Sequence, residues 1–155
     1  MTARDLKELS QADALRLLAG TPLGRIVFTR HALPAVRPVN HIVVDGHIVI
    51  RSNPGTVISA EVAPAGAVVA FEADELDVAE RLGWSVIVTG VARLVEDPEE
   101  AASYRERLTP WVAGELDQVI RIRPEMVTGF ELVPAVSWND ARHAAGNAFD
   151  MTRGG

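Results

Sequence analysis

The chain has 155 residues, 48% of them hydrophobic and 23% charged, with a formal net charge of −6 and no cysteine. That length and composition suit one domain with a sizeable core. Acidity without any basic run argues against a nucleic-acid surface, and the missing cysteines exclude disulfides, thiolate nucleophiles and cysteine-ligated zinc.

The N-terminal MTARDLKELSQADAL lacks the apolar core of a signal peptide. No stretch reaches the roughly 18 apolar residues of a membrane span, so the expectation is a cytoplasmic protein with no membrane partner. Ser10 and Asp13 resemble a capping box, Ala14, Leu15, Leu17 and Leu18 make a helical stripe, and Gly20 is a natural stop. Residues 23–30 read as a first strand. Residues 36–44 and 47–52 read as two more, joined by Asp45-Gly46, a strong short-hairpin signal.

Asn53-Pro54-Gly55 breaks the pattern before a short helix over 56–62. A strand over 67–72 and an acidic loop or helical turn over 74–82 follow. The longest strand is expected over 84–95, with Gly90 as a bulge or bend. Asp97-Pro98-Glu99-Glu100 opens a helix running to about Leu108. Strands over 119–123 and 127–133 are expected on either side of Pro124. The tail over 138–155 has little periodicity and is expected to be loosely ordered or docked on a partner subunit, leaving 1–137 as one domain.

Many strands and few short helices give a mainly β protein, an antiparallel barrel with α additions. The 84–95 strand is largely apolar on both faces, with Trp84, Val86, Val88, Ala92 and Leu94 on one and Ser85, Ile87, Thr89, Val91 and Val95 on the other. Its outer face therefore needs a cover, either a helix of the same chain or, as the preferred expectation, a second subunit.

The hairpin raises the functional question. With Asp45 and Gly46 as the turn, Val44 faces His47, Ile42 faces Val49, and Asn40 falls opposite Arg51. An amide and a guanidinium at the open end of an apolar strand pair, beside a glycine turn, suit an anion. The plainer reading is a surface Arg–Asn hydrogen bond that caps the hairpin. His41 and His47 fall on opposite faces, and His31 and His143 lie far off in sequence, so no metal site is expected. No G-x-S-x-G, G-x-G-x-x-G or P-loop pattern occurs, and no catalytic side chain is assigned.

The segments LGRIVF, PAVRPVNHIVVDGHIVIRSNPGT, VVAFEADELD and GWSVIVTGVARLV, in this order and spacing, resemble the pyridoxamine 5′-phosphate oxidase-like flavin-binding split barrels over roughly residues 10–133. The resemblance implies a six-stranded antiparallel split β-barrel with a few short helices, a homodimer, and an oxidoreductase that holds FMN between subunits and acts on a small molecule. It implies that Arg37, Pro38, Val39 and Asn40 run along the flavin ring. Arg51, Ser52, Gly55 and Thr56 would face the phosphate and ribityl chain, and Trp84 and Ser85 would help close the pocket, from the same or from the other subunit.

The chain departs from the pattern at Val57, where relatives often carry lysine. That loss of a phosphate-binding charge keeps two alternatives in view: the deazaflavin F420 on the same fold, or a non-catalytic flavin- or ligand-binding protein. RIRPEMVTGFEL carries no basic signature for a second phosphate, which argues against pyridoxamine phosphate oxidation itself.

Overall fold

The computed structural model of the protein describes residues 3–62, 65–114 and 116–135, so the expected tail lies outside the described residues. Its elements are β1 (Arg4–Glu8), α1 (Gln11–Ala19), β2 (Leu23–Arg30), β3 (Leu33–Asn40), β4 (Ile42–Val44), β5 (His47–Ser52), α2 (Val57–Val62), β6 (Ala67–Asp77), β7 (Leu82–Leu94), α3 (Pro98–Arg107) and β8 (Gln118–Pro134). Among the described residues no helix is long and apolar enough to cross a membrane.

The fold is the expected mainly β class: one curled antiparallel sheet, ordered β3-β2-β6-β7-β8-β5-β4, with β1 added to the end of β8. It has eight strands rather than six. One addition is β1, whose RDLKE sequence has no amphipathic pattern of its own and is a strand only because β8 supplies its ladder. The other comes from a break. The expected 36–44 strand is two strands, β3 on β2 and β4 on β5, separated at His41.

His41 is buried, its backbone N–H donates to the Pro22 carbonyl at 3.0 Å, and its Nε2 lies 3.0 Å from the Leu18 carbonyl. The ring stands edge-on to Phe71 with centroids 4.7 Å apart. Because β3 and β4 are the two ends of the sheet order, the barrel is closed at this point by the chain itself and not by a ladder.

Pro124 does not interrupt a strand as expected. Gly90 pairs with Pro124 and Thr89 with Met126, so Glu125 is the extra residue of a bulge and β8 runs through all 17 residues. A bulge tolerates a proline that the regular ladder would not. A Cβ on Gly90 would stand 2.0 Å from the Arg123 carbonyl oxygen, which explains the glycine. Residues 74–77, expected in an acidic loop or helical turn, extend β6 and pair along β7. There Glu72 and Asp74 face outward around Arg25, at 3.0 and 3.7 Å.

The helix expectations hold. Ser10 Oγ accepts from the Asp13 N–H at 3.1 Å, and Asp97 caps α3 by accepting from the Glu99 N–H at 3.3 Å. The interior of the barrel is filled by Ile26, Phe28, Ile48, Ile50, Phe71, Val86, Val88, Ile120 and Ile122, plugged at one end by Ala14 and Leu18 of α1. On the outside, α3 packs Ala101 and Tyr104 against Val49 and Val119, and the Arg121–Glu100 ion pair ties it to β8. A helix of the same chain thus covers one part of the outer sheet. The outward face of β6, β7 and β8 is left bare, with Val68, Ile87, Met126 and Phe130 all exposed.

Burial holds the His41 imidazole below its ordinary pKa of 6.5, despite the opposing Leu18 carbonyl. Below that pH the unfolded chain binds a proton that the folded chain refuses, so stability falls with acidification until the depressed folded value is reached. Thermal melts should therefore decline from pH 7.5 to 5.5. His41→Gln should melt lower at pH 7.5 but with a shallower decline; an equally steep decline would place the titration elsewhere.

Candidate functional site

Where β3 parts from β4, the split opens a cavity of about 400 Å³. Its apolar wall comes from Leu23 and Ile26 of β2, Pro38 and Val39 of β3, Ile50 of β5 and Ile58 of α2. Arg37, Asn40, Arg51, Ser52, Asn53 and Thr56 supply the polar groups, and Trp111, Val112 and Leu116 complete the rim. No carboxylate is among the described lining residues, so two guanidinium groups set the local charge in a chain of net charge −6.

β3 and β5, which are not neighbours in the sheet, place these groups for simple reasons. Asp45 and Gly46 both have positive φ, 50° and 76°, the conformation that matches a two-residue turn to the twist of β4 and β5. That turn fixes the register, Val44 on His47 and Ile42 on Val49, as expected. The ladder ends there. Asn40 pairs with Leu23 on β2 and Arg51 with Val119 on β8, so the expected Asn40–Arg51 cross-strand pair does not form. The break at His41 turns Asn40 away from β5.

Asn40 and Arg51 nonetheless converge on a common object, the segment after α3. Asn40 Nδ2 donates to the Thr109 carbonyl at 2.8 Å, while its Oδ1 accepts from the Trp111 N–H at 3.3 Å. Arg51 Nε donates to the Leu116 carbonyl at 2.8 Å and Nη1 to the Leu108 carbonyl at 3.0 Å. Neither the hairpin cap nor a wholly free anion cradle describes this arrangement. The two side chains strap a loop across the mouth of the cavity, and charge-assisted bonds to carbonyls make Arg51 the stronger strap.

The glycine turn is satisfied internally. Ser59 Oγ and Thr56 Oγ1 each donate to the Asn53 carbonyl at 2.9 Å, and Ser52 Oγ lies 2.9 Å from both hydroxyls. Three hydroxyls thus gather around one carbonyl, with Ser52 and Thr56 on the cavity wall.

The structure brings Arg37, Pro38, Val39, Asn40, Arg51, Ser52 and Thr56 to one cavity. Gly55 stands just outside, exposed in the turn with φ +83°. Trp84 does not line this cavity: it is buried in the barrel core beside Val86 and Val88. Ser85 points the other way, onto the outward face across from Phe130. Val57 packs against the main core and is not on the cavity wall.

Sequence reasoning missed Trp111, Val112 and Leu116, because the stretch TPWVAGELD has no periodicity to assign to an element. A tryptophan in such a stretch was the available signal. Among the described residues, no group of three or more His, Asp or Glu could hold a metal ion.

A family model described as pyridoxamine 5′-phosphate oxidase matches residues 10–131. Rv0080, an uncharacterized protein of Mycobacterium tuberculosis, is 52% identical over 135 residues, covering 85% of this chain and 89% of the relative. Among solved structures, the FAD-binding protein of Mycobacterium smegmatis is 34% identical with a TM-score of 0.66, over 81% of this chain and 98% of that one. An FAD-binding protein of Mesorhizobium loti is 24% identical with a TM-score of 0.68, over 83% and 98%, a likeness that carries the fold alone.

If Arg51 and Asn40 strap the loop, removing either should loosen it without unfolding the barrel. Hydrogen exchange should show the Trp111 amide at least tenfold faster in Asn40→Ala, and in Arg51→Ala faster exchange across 108–114, with β6 and β7 unchanged. Unaltered exchange in the folded variants would mean that the loop is held by other contacts.

Proposed function

The chain belongs to the pyridoxamine 5′-phosphate oxidase family, and on that premise we propose that it holds a flavin nucleotide in the split of its barrel and serves as a small-molecule oxidoreductase. The observation that carries this reading is the meeting of strand β3 and the Arg51–Thr56 turn on one cavity, apolar along its wall and cationic and hydroxyl-bearing at its rim. An apolar wall suits a flat ring system, and a guanidinium with two hydroxyls suits a phosphate. The likeness to an FAD-binding protein at 34% identity supports a flavin in particular.

In this reading Pro38, Val39 and Ile50 bound the ring and exclude water, while Arg37, Arg51, Ser52 and Thr56 orient the phosphate-bearing chain. A bound flavin supplies the hydride or electron transfer, so no side chain need be a nucleophile. FMN meets both halves of the cavity, and F420 shares a ring and a phosphate-bearing chain with it. With Val57 turned to the core, the phosphate end relies on Arg51 and the hydroxyls.

A homodimer completes the reading. Val68, Ile87 and Met126 are 70%, 45% and 62% exposed on adjacent strands of one bare sheet face, a patch of the kind that marks a subunit contact. Ser85 lies on this face, so any part it plays at a flavin would come from the second subunit.

Purified protein reconstituted with FMN, FAD or F420 should keep the ligand's visible absorption after desalting, and reduced ligand should be reoxidised by a panel of small acceptors. A colourless protein with all three would overturn the reading; retained flavin without turnover would reduce the function to ligand binding. In light-scattering measurements the wild type should weigh as a dimer, and Ile87→Lys should shift it to monomer. A monomeric wild type would remove the second subunit from the site.

A further inference from the structure

Resting on the flavin reading above, we propose that Trp111 is the stacking contact for the adenine half of FAD, so that the strapped loop selects the dinucleotide over FMN. The cavity itself, about 400 Å³, lies near the small end of the roughly 300–1,000 Å³ common for ligand sites. It has space for a ring and its phosphate-bearing chain. A second nucleotide must leave past the polar rim formed by Arg51, Ser52 and Thr56.

On the same rim stands an apolar surface that packs into neither hydrophobic cluster. Trp111 is 60% exposed and Val112 69% exposed, two apolar side chains that belong to neither hydrophobic cluster. A tryptophan held open to water on an exposed loop is poorly explained by packing. Yet its backbone is fixed: Asn40 binds both the Thr109 carbonyl and the Trp111 N–H, and Arg51 anchors Leu108 and Leu116 at the two ends.

Gly114 adopts φ +126°, a conformation open to glycine alone, and passes beside Asn53, with 3.9 Å from its would-be Cβ to Asn53 Nδ2. The loop therefore spans from Asn40 to the glycine turn across the mouth. Pre-ordering the indole lowers the entropic cost of stacking a planar base on it. Asn40 and Arg51 are then positioning residues for Trp111, which answers why an amide and a guanidinium stand at the end of an apolar hairpin.

Titrations of FMN and FAD into wild type, Trp111→Ala and Trp111→Phe separate the possibilities. Base stacking on an aromatic ring is strong enough that Trp111→Ala should weaken FAD about tenfold, leave FMN within about twofold, and abolish the preference; Trp111→Phe should restore most of it. ADP, which carries the adenine half alone, should compete with FAD in wild type and not in Trp111→Ala. Equal loss for FMN and FAD would place the indole on the flavin ring and overturn the assignment. No loss for either would overturn it as well, while leaving flavin binding intact. A wild type that binds neither flavin brings down both this inference and the reading beneath it.

Discussion

The barrel depends on a single buried imidazole at the point where its sheet closes. β3 and β4 are consecutive in sequence yet lie at opposite ends of the strand order, so the curl of the sheet has to be completed by a bend in the backbone. His41 makes that bend affordable: its N–H is taken by the Pro22 carbonyl, its Nε2 meets the Leu18 carbonyl, and its ring edge fills the space against Phe71. An unpaired polar group in such a place would cost about 1–3 kcal/mol. The imidazole meets that requirement at Nε2 alone, since Nδ1 is buried without a hydrogen-bond partner among the described residues, while the ring ties α1 and β6 to the seam.

The seam also creates the cavity. A ladder continuing from β5 through Asn40 would have filled the gap with backbone hydrogen bonds. With β3 drawn onto β2 instead, the ends of β3 and β5 diverge, and the side chains flanking the break project into or across the opening. Asn40 and Arg51 use their polar groups on the carbonyls and N–H of a loop that has no regular partners of its own, which meets the general demand that backbone groups be paired. A fold-closing constraint and a ligand-sized opening are therefore two results of one backbone break.

The two faces of the long strands show a second division of labour. The inward residues of β7, Trp84, Val86, Val88 and Ala92, are buried in the barrel. The outward row is covered by α3 only beside β5 and the start of β8, where Val49 and Val119 lie. The bulge at Glu125 lets β8 carry Pro124 and still bind three neighbouring strands along its length. The bare outward face holds the Arg25–Glu72–Asp74 cluster, where burial and the neighbouring Asp74 raise the Glu72 pKa against the pull of Arg25.

Local patterns in the sequence were enough for the helices, their caps, the Asp45-Gly46 turn and its register, because each depends on residues only a few positions apart. The mainly β class was legible through order and spacing along the chain, and so was the stretch of β3 and the Arg51–Thr56 turn on the cavity, but not Trp111, Val112 and Leu116. Four features were decided by contacts between distant segments. β1 is a strand only beside β8. Pro124 is tolerated only because Gly90 stands opposite a bulge. Trp84 is core because its side of β7 faces into the curl of the sheet. Asn40 and Arg51 meet at a loop, and not at each other, because His41 breaks the strand between them. Alternation and turn chemistry record which way a side chain points within its own strand; which strand becomes its neighbour is set by closure of the whole sheet, and no local pattern contains that.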